Sequence, residues 1–142
     1  MAASNADVVR AIEEAWDQGR LDDLDQYFAP GFDNAQSGTP GLPAGLAGSK
    51  MAHQGVMQSF PDRKAEILAL VAGGDQVFVR NRITGTNTGG FPPFGVPANG
   101  NPFDIEAWGV YRLADGKVVE HWGMNDAFTL GIQLGAIPAP GG

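Results

Sequence analysis

The hydrophobic period changes once along this chain, and that change limits the folds open to it. Before Pro61 apolar residues recur at helical spacing: Val8, Ile12, Ala15 and Trp16, then Ala52, Val56 and Phe60. After Pro61 the period falls to two, over Glu66 to Ala72, Gln76 to Thr84, Phe103 to Leu113 and Lys117 to Met124. Helices that come first and strands that follow predict an α+β domain. Ser4 or Asn5 can cap the first helix and Gly19 can stop it. Leu21, Leu24, Tyr27 and Phe28 form a short amphipathic turn that Pro30 ends. Gly38 to Gly48 reads as an irregular loop, after which Ser49 is positioned to cap the next helix. Gly73-Gly74-Asp75 and Asp115-Gly116 are hairpin turns that make the strands an antiparallel meander. Asp126 can cap a last helical turn through Gln133 and Leu134. Gly85 to Pro102, with five glycines and four prolines, is a long loop of the kind that is often functional.

The 142 residues, 1–142, are expected to form a single domain. A chain of this length buries roughly two thirds of its unfolded surface, enough for a core without staples. It has no cysteine, so disulfides, thiolate metal sites and cysteine nucleophiles are excluded. Nine basic residues against sixteen acidic give a net charge of -7, which argues against nucleic acid and anionic membrane as partners. No window approaches about 18 uninterrupted apolar residues and no cationic leader precedes an apolar run, so a cytoplasmic location is expected.

With two histidines, His53 and His121, a three-histidine metal site is impossible. No dinucleotide turn, phosphate loop or nucleophile elbow is present. Acid/base chemistry from Asp, Glu and His remains, or ligand binding alone. The densest cluster of candidates is Glu120-His121-Trp122-Gly123-Met124-Asn125-Asp126. A histidine near a strand end can move a proton close to neutral pH. The plainer reading is a structural histidine beside a helix-capping Asp126. His53 sits on a helix off the apolar stripe, as a surface or pocket-rim group. Trp16, Trp108 and Trp122 are core or interface residues before they are ligand platforms.

Several motifs in order make the chain resemble the SnoaL-like polyketide cyclases, also known as ester cyclases. They are Phe60-Pro61-Asp62, Gly73-Gly74-Asp75-Gln76-Val77, Gly85-Thr86-Asn87-Thr88-Gly89, Tyr111-Arg112-Leu113-Ala114-Asp115-Gly116-Lys117, Glu120-His121-Trp122 and Gln133-Leu134-Gly135, and the resemblance runs from about Val8 to Gly135. It implies a cone: a curved antiparallel sheet wrapped by helices around one deep, mostly apolar pocket. It also implies aldol ring closure on an aromatic polyketide, without metal or cofactor, with an aspartate as general acid/base.

Carried over residue by residue, His121 stands at the family's pocket histidine and Asn34 at a pocket asparagine. Gly123 stands where the acid/base aspartate lies, and Ala107 and Gly109 where a glutamine and a second histidine lie. Asn87 stands where many members have histidine, and Asp126 matches an aspartate common in the family. The resemblance thus implies a small hydrophobic carbonyl compound as substrate, His121 as proton-transfer group with Asp126 orienting it or acting directly, Asn34 and Asn87 donating to substrate oxygen, and His53, Ala107, Gly109 and Gly123 in the pocket wall. Related cones add water to epoxides, and a cone that has lost its chemistry would only bind ligand.

Alternation gives a check. Ala107 and Gly109 share a face with Phe103, Ile105 and Tyr111, which predicts a cavity of a few hundred Å³. Trp108 lies on the opposite face with Asp104, Glu106, Val110 and Arg112 and predicts a homodimer, or higher homo-oligomer, packed there. On the last strand alternation alone favours burying Val118, Trp122 and Met124, whereas the resemblance turns His121 and Gly123 inward.

Overall fold

A computed structural model of the chain describes residues 3–34 and 41–141. Helix α1 (Asn5–Gln18) is followed by a 3-10 turn (Leu21–Gln26), strand β1 (Phe28–Asn34) and helix α2 (Gly45–Ser59). Strands β2 (Lys64–Gly73), β3 (Gln76–Thr86), β4 (Pro102–Ala114) and β5 (Lys117–Asn125) come next, and α3 (Ala127–Leu134) closes the order. The α+β class expected from the change of period is the one observed. The sheet order is β1-β5-β4-β3-β2, and β1 runs parallel to β5 while the other pairs are antiparallel. The curved sheet is therefore mixed rather than wholly antiparallel.

Strand β1 occupies the segment that Pro30 was expected to close. Proline removes a ladder donor, which confines it to sheet edges and bulges. Both conditions hold here. β1 is an edge strand, and between its pairs Phe28↔Val118 and Asp33↔Glu120 it advances five residues while β5 advances two. Pro30 and Gly31 fall inside that irregular stretch, where no ladder bond is needed.

Helix α1 starts in a capping box. The Asp7 amide donates to Ser4 Oγ at 3.1 Å and the Ser4 amide donates to the Asp7 carboxylate at 3.4 Å. It ends at Gly19, whose φ of 71° suits glycine. Its stripe, Val8, Val9, Ile12 and Ala15, is buried against Leu24, Phe28, Phe32, Val77, Val79, Tyr111, Leu113 and Val118. A second cluster gathers Phe60, Phe103, Ile105, Leu130 and Leu134. Helix α2 begins at Gly45 after Ala44, a turn earlier than Ser49, and no side chain caps it. Ser49 lies inside the helix, where its hydroxyl donates back to the Gly45 carbonyl at 3.4 Å and accepts from Asn34 Nδ2 at 2.8 Å. Part of the stretch expected as a loop before it, from Gly38, lies outside the described residues.

The long segment between β3 and β4 is folded onto the second cluster. Phe91 packs against Phe60 with ring centroids 5.2 Å apart and edge-to-face against Phe94 at 5.0 Å. No helix among the described residues is long and apolar enough to cross a membrane.

Ile12 is fully buried between α1 and the sheet. Ile12→Ala should lower stability by about 2–5 kcal/mol, the usual cost of a cavity at such a site, read from urea denaturation.

Candidate functional site

The concave face of the sheet is built from three registered rows: Val77–Tyr111–His121, Val79–Gly109–Gly123 and Asn81–Ala107–Asn125. Two of these rows carry almost no side chain at their centre, so helices α1 and α2 cannot close on the sheet. A cavity of about 330 Å³ remains, within the usual range for small-ligand sites. Trp16 and Glu13 from α1, and Ala52, His53 and Val56 from α2, face the sheet residues across it. Phe28, Phe32 and Ile83 supply apolar wall, and Arg63, just before β2, reaches the same space.

His121 reaches this wall because of a bulge. Arg112 pairs with Glu120 but Leu113 pairs with Val118, so one residue of β5 is skipped. An extra residue reverses the alternation beyond it. Val118 is thus fully buried while Trp122 and Met124, two and four positions after Glu120, point outward, and His121 and Gly123 line the cavity. The conflict between alternation and resemblance is settled in the backbone. Gly109 is the other local requirement, since a Cβ there would sit 3.0 Å from His121 Nε2.

The His121 ring lies 4.5 Å from that of Tyr111 and makes no hydrogen bond among the described residues. Burial pulls its pKa down to about 4, so the imidazole is neutral at physiological pH. Below it sits a carboxylate that the sequence did not single out. Glu13 accepts from the Tyr111 hydroxyl at 2.7 Å and from Asn81 Nδ2 at 3.0 Å. Burial raises the Glu13 pKa, against the opposing pull of those two hydrogen bonds and of the Arg63 charge. Burial likewise holds the Tyr111 hydroxyl well above its ordinary range. Opposite them, His53 packs against Trp16 with ring centroids 4.9 Å apart, and burial followed by the Arg63 charge lowers its pKa to about 4.

His121, His53, Asn34, Ala107, Gly109 and Gly123 are thus gathered around one cavity. Asn34 adjoins His121 through the β1–β5 pairing. Asn87 and Asp126 are not brought to it. The Asn87 side chain is fully buried in the long segment, donating to the Pro97 carbonyl and Asn99 Oδ1, both at 3.0 Å, and accepting from the Gly90 amide at 2.9 Å. Its hydrogen-bonding capacity is spent on holding that segment together. Asp126 is exposed and caps α3, accepting from the Thr129 amide at 3.1 Å and from its hydroxyl at 2.7 Å, which lowers its pKa. The wall is also more polar than the apolar pocket expected, because Glu13, Arg63 and Asn81 enter it. A signal for two of these existed. Glu13 sits among Val9, Ile12 and Trp16 on the apolar face of α1, and Asn81 interrupts the inward series Val77, Val79, Ile83. Among the described residues no three His, Asp or Glu side chains gather as metal ligands.

Comparison with known proteins agrees with this fold. The sequence profile of the SnoaL-like polyketide cyclases matches residues 6–134. IdmH from Streptomyces antibioticus, provisionally assigned as a polyketide cyclase, superposes with a TM-score of 0.80 at 31% identity, covering 94% of this chain and 99% of its own. TsrD from Streptomyces laurentii superposes at 0.79 with 25% identity, over 92% of this chain and 93% of its own. AclR from Streptomyces galilaeus, provisionally assigned as a hydroxylase, superposes at 0.78 with 26% identity, over 93% and 81%. No protein of curated function matches the chain.

Both histidines have folded-state pKa values below their ordinary 6.5. As pH falls the unfolded chain takes up these protons first, so the stability tied to the neutral rings is intact above about 6.5 and is lost between there and about 4. The urea midpoint should therefore drop across that window, and His121→Phe should make the drop smaller.

Proposed function

Because the chain belongs to the SnoaL-like polyketide cyclase family, we propose that it carries out acid/base chemistry, a ring closure or a related isomerisation, on a small carbonyl-bearing apolar molecule held in this cavity. The observation that carries the reading is His121: half-buried in the cavity wall, neutral, and without a protein hydrogen bond among the described residues. A neutral imidazole in that position can take a proton from the carbon next to a carbonyl. The negative charge that develops on the carbonyl oxygen then needs a donor.

In this reading the donor is the Tyr111–Glu13 pair, with Glu13 in place of Asp126 as the working carboxyl group. When Glu13 is protonated its O–H can donate to the Tyr111 oxygen. That releases the phenol hydrogen, now given to Glu13 at 2.7 Å, for the substrate oxygen. Burial favours the protonated carboxyl because it penalises the charged form. Asn34, beside His121, is positioned to orient the same ligand.

A substrate-independent probe is the exchange of the α-protons of 2-tetralone in D₂O, followed by proton NMR. His121→Phe should slow the protein-catalysed exchange by roughly 10²–10⁴-fold, the usual worth of a positioned base. In the wild type the rate should rise as pH passes about 4, following release of the His121 proton, and fall again at higher pH once Glu13 ionises and reclaims the Tyr111 hydrogen. Unchanged exchange in a well-folded variant would remove His121 from the chemistry and leave the cavity as a binding site.

The same reading has two copies packed through the outer face of the sheet. Trp108 and Met124 are 53% and 78% exposed there, with Trp122 alongside. Ion pairs Arg80–Glu106, Arg82–Asp104 and Arg112–Glu120 border the patch and cancel its charge locally. An apolar centre with a neutral polar rim suits a like partner despite the net charge of -7. Light scattering should give a dimer for the wild type and a monomer for Trp108→Glu.

A further inference from the structure

Strand β5 presents His121, Gly123 and Asn125 on one face, and all three line the cavity. The three positions are not equivalent. His121 pairs with Tyr111, which is 3% exposed, at the closed end. Gly123 and its partner Gly109 leave the middle bare. Asn125 on β5 and Ala52 on α2 line the cavity and are exposed, so they mark its mouth. Asn125 therefore brings a solvent-accessible amide to the open end of a wall whose closed end carries the imidazole.

The backbone fixes Asn125 on both sides. It pairs with Ala107 at the end of the β4–β5 ladder. The next residue, Asp126, donates its amide to the Glu106 carbonyl at 3.1 Å and then caps α3. A side chain held on a strand is placed more precisely than one on a loop. Ala107 opposite it and Gly123 before it are too short to cover the amide. Asn125 lies four residues beyond His121, about 13 Å along the strand at the usual rise per residue. On this side of the cavity the residues between them, Gly109, Gly123 and Ala107, carry no polar side-chain atom. A polar ligand group lying there would lose water without gaining a side-chain partner, so the oxygens of a ligand along β5 belong at its two ends.

We propose that Asn125 is a specificity-determining residue of this cavity, which takes a two-ended ligand: a carbonyl at the Tyr111–His121 end and a hydroxyl at the mouth, hydrogen-bonded to the Asn125 amide. The two oxygens would be about 8 Å apart, which with a hydrogen bond of about 2.8 Å at each end fills that span. The amide both donates and accepts, and a hydroxyl can answer either. The inference rests on reading the cavity as a ligand site with the carbonyl near His121, and it adds where the second polar group of the ligand lies.

Two isomers test it. In 6-hydroxy-2-tetralone the oxygens sit at opposite ends of the molecule, and in 8-hydroxy-2-tetralone they are close together with the composition unchanged. Isothermal titration calorimetry on the wild type should show the 6-hydroxy isomer bound at least about threefold more tightly, the worth of one net hydrogen bond. Asn125→Leu should remove that preference and leave the affinity for 2-tetralone itself unchanged. Asn125→Asp, still an acceptor for the hydroxyl, should keep it. Both substitutions fall at an exposed position, where effects on stability are usually small. Equal binding of the isomers by the wild type, or a preference that survives Asn125→Leu, would overturn the assignment. So would an equal loss of all three ketones in Asn125→Leu, since Asn125 would then only shape the mouth. The readout is binding rather than turnover, so a wild type that shows the preference without proton exchange would sink the proposed chemistry and leave Asn125 its role. Failure of all three ketones to bind would overturn this inference together with the ligand cavity.

Discussion

The polar wall of the cavity depends on side chains that are not there. Ala107, Gly109 and Gly123 stand in register on β4 and β5 and leave the middle of the concave face bare. A sheet normally fills that layer with its own side chains, and here the helices must bridge over it. The space left would be a plain void if its rim were apolar. Instead Glu13, Asn81 and Tyr111 are tied together at one side of it, and His121 lies over Gly109. The emptiness of the sheet and the polarity of the rim are two halves of one arrangement. Larger residues on the strands would push His121 off its seat, and an apolar residue at position 13 would strip Tyr111 and Asn81 of their acceptor.

Burial is also what sets the character of the ionisable groups. Among the described residues no anion lies against His121, so desolvation alone acts on it and keeps the ring neutral. Glu13 feels two donors and a nearby cation, and desolvation still prevails. The carboxyl and the imidazole are therefore biased toward their uncharged forms by one cause, burial between the helices and the sheet. Such a pair of neutral groups is the starting state that proton transfer to and from a carbonyl compound requires.

The sequence displayed the elements whose signals are local and hid those whose partners are distant. The α1 stripe, its Ser4 and Gly19 ends and the two hairpins follow from periodicity and turn chemistry. Strand β1 was obscured because Pro30 and Gly31 speak against a strand, and only its edge position beside β5 makes them tolerable. The start of α2 was obscured because Gly45 has no side-chain cap to announce it. For the site, resemblance and strand parity together pointed to His121, Ala107, Gly109 and Gly123, but parity alone misread β5 because a bulge leaves no mark in composition. Asn87 and Asp126 drew attention as polar residues near matched motifs, and local hydrogen bonds claim both. Glu13 and Asn81 were visible as polar interruptions in apolar series, a pattern that means a buried partner when the partner lies on another element.

The contact between Trp16 and His53 gives the cavity an optical property of its own. Trp108 and Trp122 lie on the outer face of the sheet, exposed in the single chain and covered in the proposed dimer, whereas Trp16 lies in the cavity wall with an imidazole 4.9 Å away. Protonated imidazole quenches indole emission and neutral imidazole does so weakly. The fluorescence of this protein should therefore have two spatially separate sources, one that follows the charge of His53 and the filling of the interior, and one that follows what covers the sheet's outer surface.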